Sequence, residues 1–442
     1  WFKLLTHNSV KQQHSLSVSG GGENTRYYAS AGYTRENDVI KTQYVDRYTA
    51  SVNLTTNLTK QLRANIRFNG NIQKKNHLPS DVNALNYAYE TTRALPAYNA
   101  DGSLYMYQRH GYGIGNSQKN NRLYDYNILN EIDNSSSDYN GNTMATSADL
   151  SYNFGTIASV TAAANYSRSA TTQGVWYGEG TNYVAILKNG ERDDRPIEGE
   201  AGLCELPYGG VYNTTSSISE TLTGRLQFNY HQGFGLAKQH HVSATLGYEA
   251  NTSRNSAIAD NTRGYFKERG MKYMTMTGED MAAFPLYNDW VSQGHRTLTE
   301  QKRNTISGYL TASYSFKDYF TLGMSGRFDA SNKFGSRSNE RFLPVWSISG
   351  RWNIRETFFD RRDIVTDWGM RFSYGKTGNM LDGETPNMLI RLGVLDTYYG
   401  ENVSTVASFP NPNLRWEQTD QFNLGMNLSL FEGRINFSTD VW

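Results

Sequence analysis

The stretch QLRANIRFNGNIQKKN, residues 61 to 76, alternates apolar or small residues with polar ones. One face is formed by Leu62, Ala64, Ile66, Phe68, Gly70 and Ile72. The other face carries Arg63 and Arg67 among asparagines and glutamines. A repeat of two residues is typical of a β-strand whose two faces meet different surroundings. A soluble sheet and a membrane barrel both produce this pattern, so the rest of the chain has to decide between them.

The same alternation recurs along the chain in about fourteen segments of roughly ten residues, which is the length of a tilted membrane-spanning strand. Tight connections lie at 21–25, 55–60, 155–156, 317–318 and 432–433. Long connections lie between them at 74–143, 168–217, 250–303 and 376–415, with shorter members near 34–46 and 329–342. The sequence therefore predicts an antiparallel sheet with all long loops at one end. One medium connection on the tight-turn side, 355–367, is expected to hold a helical turn.

Charged residues on the polar faces indicate which medium each face meets. An arginine on a lipid face near the bilayer midplane costs about 2 to 4 kcal/mol. Arg63 and Arg67 are therefore predicted to face a wet lumen, with the apolar stripe toward lipid. The full set of predicted lumen-facing charges is Arg63, Arg67, Asp149, Arg225, Glu249, Arg327 and Asp329. Aromatic residues near the ends of the apolar faces, such as Trp346 and Trp352, fit the interfacial girdles of a barrel.

These observations predict an all-β fold, a transmembrane antiparallel β-barrel with long extracellular loops and short periplasmic turns. The alternative is a soluble sandwich with its apolar face inward. A sandwich explains the alternation, but it does not explain why the long loops lie on one side. Loops of this length are unusual in compact soluble domains and usually carry function.

Composition excludes several other classes for this chain of 442 residues. The mean hydropathy is -0.65, and no run approaches the roughly 20 apolar residues of a spanning helix. Lys and Arg (43) balance Asp and Glu (42) without a basic run, which argues against a nucleic-acid surface. The single cysteine, Cys204, cannot form an internal disulfide or a thiolate metal cluster. The chain opens at Trp1 without a leader, and we expect it to be a piece of a longer protein.

The short motifs favour no enzyme, metal site or cofactor. The segment GYGIGN, residues 111 to 116, lies in a long loop without the flanking strand and helix of a phosphate loop. The segment DNSSSDYNGN, residues 133 to 142, lacks the spacing and the closing glutamate of a calcium loop. His240 and His241 are adjacent in a predicted strand, so their side chains diverge. We find no catalytic constellation and expect no enzymatic activity.

The long loops combine aromatic residues with Asn, Asp and Gly. Aromatic faces beside amides and carboxylates suit sugar rings or peptide side chains. The alternative is that the aromatics pack the loops onto one another. The candidates for contact with a substrate or a lid protein are Tyr105, Tyr107, Tyr112, Trp176, Tyr177, Tyr183, Tyr287, Trp290, Tyr398 and Tyr399.

Five stretches resemble the barrel of SusC/RagA-type TonB-dependent outer-membrane transporters, and their order and spacing match over nearly the whole chain. They are HSLSVSGGGENTRYYASAGYTREND at 14–38, LPAYNADGSLY at 95–105, GRFDASNKFGSRSNERFLPVWSISGRWNIRETF at 326–358, RFSYGKTGN at 371–379 and NPNLRWEQTDQFNLGMNLSLFEGRI at 411–435. The resemblance implies a barrel of 22 strands closed by an N-terminal plug. It also implies a periplasmic TonB-binding segment and a SusD-like surface lipoprotein that acts as a lid.

The resemblance and the strand pattern together define the expected function. Residues 1–442 are expected to form a partial barrel domain of about 14 of the 22 strands, without the plug, the TonB-binding segment and about eight further strands. The intact protein is expected to import oligosaccharides or peptides across a Gram-negative outer membrane with energy from TonB. Two alternatives stay open: a complete 14-stranded passive channel and a soluble glycan-binding β-protein.

Overall fold

The computed structural model of the chain describes residues 1–111, 122–190, 201–235, 238–317, 319–332, 342–359, 364–379, 388–396, 398–409 and 417–442. Its dominant feature is one antiparallel sheet in which fourteen long strands pair in chain order. These strands are β1 (Val10–Gly21), β2 (Thr25–Asn37), β3 (Tyr44–Asn57), β4 (Leu62–His77), β7 (Ser135–Phe154), β8 (Ala158–Tyr177), β9 (Gly210–Phe234), β10 (His240–Phe266), β12 (Arg296–Phe316), β13 (Phe320–Ser331), β14 (Phe342–Asn353), β15 (Val365–Asn379), β18 (Glu417–Leu430) and β19 (Ile435–Val441).

Smaller elements lie in the connections. The short strands are β5 (Tyr107–His110), β6 (Leu123–Tyr126), β11 (Lys272–Tyr273), β16 (Leu389–Asp396) and β17 (Glu401–Ser408). The helices are α1 (Phe2–Leu5), α2 (Ala84–Glu90), α3 (Ile128–Asp133), α4 (Asn182–Lys188), α5 (Gly278–Ala282), α6 (Pro285–Gln293) and α7 (Ile354–Phe358), with a 3₁₀ turn at Ala201–Leu203. Side-chain caps begin several of them: Thr181 accepts a hydrogen bond from the amide of Val184 at the start of α4. Among the described residues, no helix is long and apolar enough to cross a membrane.

The predicted strand count, the one-sided loops and the tight turns are confirmed, and α7 supplies the helical turn expected in 355–367. The predicted strand ends are wrong at the loop side. The loops expected at 74–143, 168–217 and 250–303 are shortened to 78–134, 178–209 and 267–295. The loop expected at 376–415 contains the separate hairpin β16–β17. The cause is that hydrogen bonding between strands continues where the apolar alternation has stopped, so β10 reaches 27 residues.

The two faces of the sheet differ as predicted. Apolar side chains of one face are open to the surroundings, for example Leu16 at 78 % exposure and Ile66 at 46 %. Most of the buried hydrophobic residues lie instead among the long loops and the strand ends beside them, while Ile354 is buried at the tight-turn end. One cluster joins Leu5, Ile40, Val82, Ala84, Ala88, Tyr126 and Ile128; a second joins Tyr177, Val184, Leu187, Leu206 and Val211. The hydrophobic core of this chain therefore holds together the loop end, and the exposed apolar face is what a lipid bilayer would cover.

Candidate functional site

The charged residues of the polar face form an ion-pair network across β9, β10, β12 and β13. Arg225 and Glu249 are register partners, and their Nη2 and Oε2 atoms are 2.6 Å apart. Arg327 places Nη2 4.0 Å from Glu249 Oε1 and donates from Nε to both carboxylate oxygens of Asp329 at 2.9 Å. Ser307 accepts from Arg327 and donates to Asp329. This network occupies the face opposite the apolar stripe, as the alternation predicted.

A second charged group lies on β4 and β7. Arg67 Nη2 is 3.5 Å from Asp149 Oδ1, and Asn65 donates an amide hydrogen to the same oxygen at 3.3 Å. Arg63 is exposed on the same face. The structure therefore brings Arg67 and Asp149 together and leaves Arg63 open to the surroundings. Their contact with a wet lumen stays a prediction.

Tyr309 is a polar-face residue that sequence reasoning missed. Its hydroxyl donates to Gln227 Oε1 at 2.9 Å, two strands away. The ring crosses Gly247, where a built Cβ atom would lie 2.0 Å from the ring Cζ. The register places Gly247 opposite both Gln227 and Tyr309. The sequence signal for this contact is a glycine that pairs with a tyrosine on one neighbouring strand and with a glutamine on the other. That signal can be recognised only when the register of the three strands is known.

Trp176 and Tyr177 lie at the end of β8 and not inside the second long loop, because β8 extends to residue 177. Trp176 is 8 % exposed, with Lys267 Nζ 3.8 Å from its ring centroid. The Tyr177 hydroxyl donates to Asp81 Oδ1 at 2.5 Å, and its ring stacks on Tyr183 at 4.3 Å. Burial raises the pKa of the Tyr183 hydroxyl. Tyr177 joins loops 78–134 and 178–209 through Asp81 and Tyr183, and Trp176 contacts loop 267–295 through Lys267.

Trp290 of α6 is packed between two partners. Arg263 lies over its ring at 4.7 Å, and His295 stacks on it at 4.0 Å. Arg263 also places Nη2 3.2 Å from Glu205 Oε2, with both side chains less than 20 % exposed. Tyr287 is buried beside Trp290. Trp290 and Tyr287 therefore fasten loop 267–295 to the strand end and to loop 178–209.

In the first loop, the aromatic residues also pack. Tyr107 lies in β5, with its ring 5.6 Å from that of Tyr126 in β6. Burial raises the pKa of both hydroxyls. Tyr105 is half-buried, and its carbonyl accepts a hydrogen bond from Asn127 at 2.9 Å. Tyr112 lies outside the described residues.

Tyr398 and Tyr399 differ from the other candidates because they are 85 % and 73 % exposed at the tip of the β16–β17 hairpin. Their amides donate to Asp396 Oδ1 at 2.8 and 3.2 Å, which fixes the turn. Their rings meet edge to face at 4.9 Å. Of the predicted contact residues, these two present open aromatic faces.

A cavity of about 490 Å³ opens between the end of β10 and the loops beside it. Its side chains include cations, an anion and aromatic rings that sequence reasoning did not single out. The principal lining residues are Glu179, Lys188, Tyr208, Phe266, Arg269, Lys272 and Tyr273. Arg269 Nη2 is 3.9 Å from Glu179 Oε2. The described part of the chain shows no group of three or more His, Cys, Asp or Glu placed to hold a metal.

Comparison with known proteins places this architecture in a family. Residues 75–442 match the family described as "TonB dependent receptor-like, beta-barrel". TonB-dependent receptor P3 of Formosa agariphila is 24 % identical over 453 residues, covering 100 % of this chain and 40 % of that protein. TonB-dependent receptor SusC of Bacteroides thetaiotaomicron is 23 % identical over 463 residues, covering 100 % of this chain and 41 % of that protein.

Among solved structures, the RagAB peptide importer in its open-open state superposes with a TM-score of 0.73 at 18 % identity. The match covers 100 % of this chain and 44 % of the RagAB chain. The chain thus spans about 40 % of the length of the relatives named above. The family match, the one-sided loops and the exposed apolar face agree, and the chain belongs to the TonB-dependent receptor family as part of an outer-membrane β-barrel.

Proposed function

We propose that this chain forms part of the wall of a barrel and a loop layer made of the long loops 78–134, 178–209 and 267–295. The intact protein is proposed to be a transporter that imports large nutrients across the outer membrane with energy from TonB. Membership of a receptor and transporter family supports this reading. The rest of the longer protein is proposed to supply a plug, a TonB-binding segment and about eight further strands. A SusD-like surface lipoprotein completes the proposed assembly, and residues 1–442 are proposed to be a single partial barrel domain.

The observation that carries the proposal is the cavity at the loop end. Arg269, Lys272 and Glu179 supply charges of both signs, while Tyr208 and Tyr273 supply aromatic faces. Open clefts with a few convergent polar groups are the usual form of ligand sites. A peptide carries both charges and apolar side chains, so it fits this lining better than a neutral sugar does. We therefore favour a peptide as the imported substrate.

An oligosaccharide is the second candidate, and the tyrosine faces favour it. Sugar rings stack on aromatic side chains and take oriented hydrogen bonds from their neighbours. In that case Tyr208 and Tyr273 would dominate binding, and the charges of Arg269 and Lys272 would contribute little. The two candidates therefore make opposite predictions for the same set of variants.

Binding measurements on the full-length transporter separate the candidates. For a peptide, Arg269→Ala with Lys272→Ala should weaken binding of a mixed peptide pool at least about tenfold, since hydrogen bonds to charged groups contribute roughly 1.5 to 3 kcal/mol each. For a glycan, Tyr208→Ala with Tyr273→Ala should weaken binding of an oligosaccharide pool instead. Tyr89→Ala is the matched control, because Tyr89 is 73 % exposed and outside the cavity. Unchanged binding in both double variants contradicts a substrate site here.

The loop layer is also proposed to dock the lid lipoprotein. Loops 78–134, 178–209 and 267–295, with the exposed Tyr398 and Tyr399, offer a polar surface with aromatic anchors. Deletion of residues 104–125 would be a poor test, because it removes Tyr124, which is buried. Tyr398→Ser with Tyr399→Ser keeps the loop layer intact and should reduce lipoprotein co-purification. Leu58→Ser, at a tight turn on the opposite end, is the control.

A further inference from the structure

Two arginines lie opposite each other on the polar face, near the tight-turn end of the sheet. Arg351 of β14 and Arg371 of β15 are register partners, and the apolar residues Trp352 and Phe372 next to them point to the other face. Partners across an antiparallel pair have Cα atoms roughly 4.5 to 5.5 Å apart, and like charges placed there destabilise a sheet. The sheet therefore gains no stability from having a second arginine at this position.

The two arginines differ in their partners. Arg371 Nη2 lies 2.5 Å from Asp440 Oδ1 of β19, and the side chain crosses Gly425 to reach it. Arg351 is exposed, and within the described ranges its side chain has no ion pair or hydrogen bond. This group therefore has two cations and one anion, whereas the network across β9, β10, β12 and β13 has two arginines and two carboxylates.

A cleft of about 780 Å³ opens beside both arginines, across β12 to β15, β18 and β19. The row of register partners next to the arginines, on the loop side, consists of short uncharged residues: Ser313, Gly323, Ser349, Ser373 and Asn423. Their hydroxyl and amide groups can form further hydrogen bonds, and their small size leaves space above the sheet. The volume is in the range of about 300 to 1,000 Å³ that is usual for small-ligand sites. The cleft therefore combines positive charge, polar groups and room for a ligand.

The chemistry of two adjacent guanidinium groups selects a carboxylate. A guanidinium is planar and has five N–H donors, which match the two oxygens of a carboxylate in a bidentate pair. Arg371 uses part of this capacity on Asp440, and the donors of Arg351 are open to the cleft. A carboxylate that binds between the two arginines replaces their mutual repulsion by two attractive contacts. The missing anion of this group is therefore expected to come from a ligand.

We propose that Arg351 and Arg371 bind one carboxylate of the imported substrate. The inference rests on the proposed function, because it takes the polar face to line the lumen. The carboxylate is the C-terminus of a peptide or the acid group of an acidic sugar, which correspond to the two substrate candidates above. The cleft lies toward the tight turns, whereas the cavity of Arg269 and Lys272 lies at the loop end. The two arginines therefore form a second site, which favours acidic over neutral substrates after they have left the loop-end cavity.

The test measures how fast phenylglyoxal, which modifies guanidinium groups, labels Arg351 in the full-length transporter in mild detergent. Mass spectrometry quantifies the label at each arginine. Two pairs of probes are compared: trialanine with its C-terminal amide, and trigalacturonate with its methyl ester. The acid of at least one pair should slow the labelling of Arg351 at least about fivefold relative to its neutral partner, because charge-assisted hydrogen bonds are roughly twice as strong as neutral ones. The pair that protects identifies the source of the carboxylate.

Arg63 is the reference arginine for this measurement. It is exposed on the same face near the same end, and its register partners are Asn57 and Ser151. The acid probes should therefore leave the labelling of Arg63 unchanged.

Two variants test whether both arginines are needed. Arg371→Gln should abolish the protection of Arg351, but it also breaks the ion pair with Asp440. Arg351→Gln breaks no ion pair in the described part of the chain, and it should abolish the protection of Arg371. Arg63→Gln is the matched control and should leave the protection of both arginines intact. Heat-modifiable migration on gels verifies that each variant is folded.

Three results would overturn the inference. The first is equal labelling of Arg351 with the acid and the neutral probe of both pairs. The second is equal protection of Arg63, which would show a general effect of the acid. The third is an Arg351 that resists phenylglyoxal without any probe, which would show that another group, such as a carboxylate of the proposed plug, already occupies the site. None of these results depends on binding at the loop-end cavity, which Arg269→Ala with Lys272→Ala tests separately.

Discussion

At the scale of single residues, glycines decide which side chains can cross the sheet. Tyr309 reaches Gln227 only because Gly247 has no side chain under the ring. The aromatic candidates show the same dependence on neighbours. Trp176, Tyr177 and Trp290 are residue types that are common in binding surfaces. Their rings, however, already contact other side chains of this chain, namely Lys267, Tyr183 and Arg263 respectively.

Replacing Gly247 tests the crossing contact. Gly247→Ala should destabilise the folded barrel by about 1 to 3 kcal/mol, because overpacking at the ring forces Tyr309 away from Gln227. Gly224→Ala is the matched control, since a built Cβ at Gly224 has no atom within 4 Å. The measurement is the temperature at which the folded gel band of the full-length protein converts to the unfolded one. Equal midpoints for the two variants would refute the packing argument.

Cysteine labelling tests the orientation of β4. Cysteines at Ile66 and Phe68 should react with lipid-confined reagents, and cysteines at Arg67 and Asn69 with water-soluble ones. The reason is that alternate residues of a strand point to opposite faces. The reverse pattern would show that the charged face meets lipid and would end the assignment of Arg67 to the lumen.

At the scale of elements, the strands continue beyond the apolar band, and the loops fold onto their ends. β9 and β10 reach 25 and 27 residues, more than twice the length of a membrane crossing. Buried tyrosines join the loops to these extensions, with Tyr177 bonded to Asp81. The extracellular layer is therefore a packed structure with its own core.

The loop layer should loosen at alkaline pH. Burial raises the pKa of Tyr107, Tyr126 and Tyr183 above the ordinary value near 10. Their neutral forms stabilise the layer fully below that value, and this contribution is lost as pH rises toward their folded pKa, because the opened state ionises first. The opening free energy from hydrogen exchange in 78–111 and 178–190, corrected for the base-catalysed intrinsic rate, should stay constant from pH 6 to 9 and fall above about pH 10.

A tyrosine variant gives the control for this pH dependence. Tyr126→Phe removes one titrating hydroxyl and keeps the ring against Tyr107. The alkaline loss of opening free energy in residues 78–111 should be smaller in this variant, because Tyr107 still titrates and Tyr126 no longer does. An identical profile in the variant would exclude Tyr126 ionisation as a cause.

At the scale of the whole molecule, the sheet has two edges, β1 and β19, each paired with one neighbour in the part of the chain that the structure describes. An unpaired backbone group costs several kcal/mol in hydrocarbon, so spanning sheets close into barrels. Under the proposal above, these two edges pair with further strands of the longer protein.

Residues 1–442 expressed alone should misassemble in an outer membrane. The expected result is protease-sensitive, heat-unmodified protein, because the β1 and β19 edges would face lipid unpaired. The full-length protein in the same membrane is the control. A stable, heat-modifiable barrel formed by residues 1–442 alone would favour the 14-stranded passive channel.

The sequence by itself determined the strand number, the division of each strand into an apolar and a polar face, and the end that carries the loops. Those features depend on local periodicity, which a strand displays residue by residue. Tertiary structure decided where the strands end and which aromatic side chains are packed. Tyr177 and Asp81 are 96 positions apart, and Tyr309 and Gln227 are 82 apart. Such contacts depend on the register between distant strands, and hydrophobic alternation carries no information about it once a strand has left the membrane.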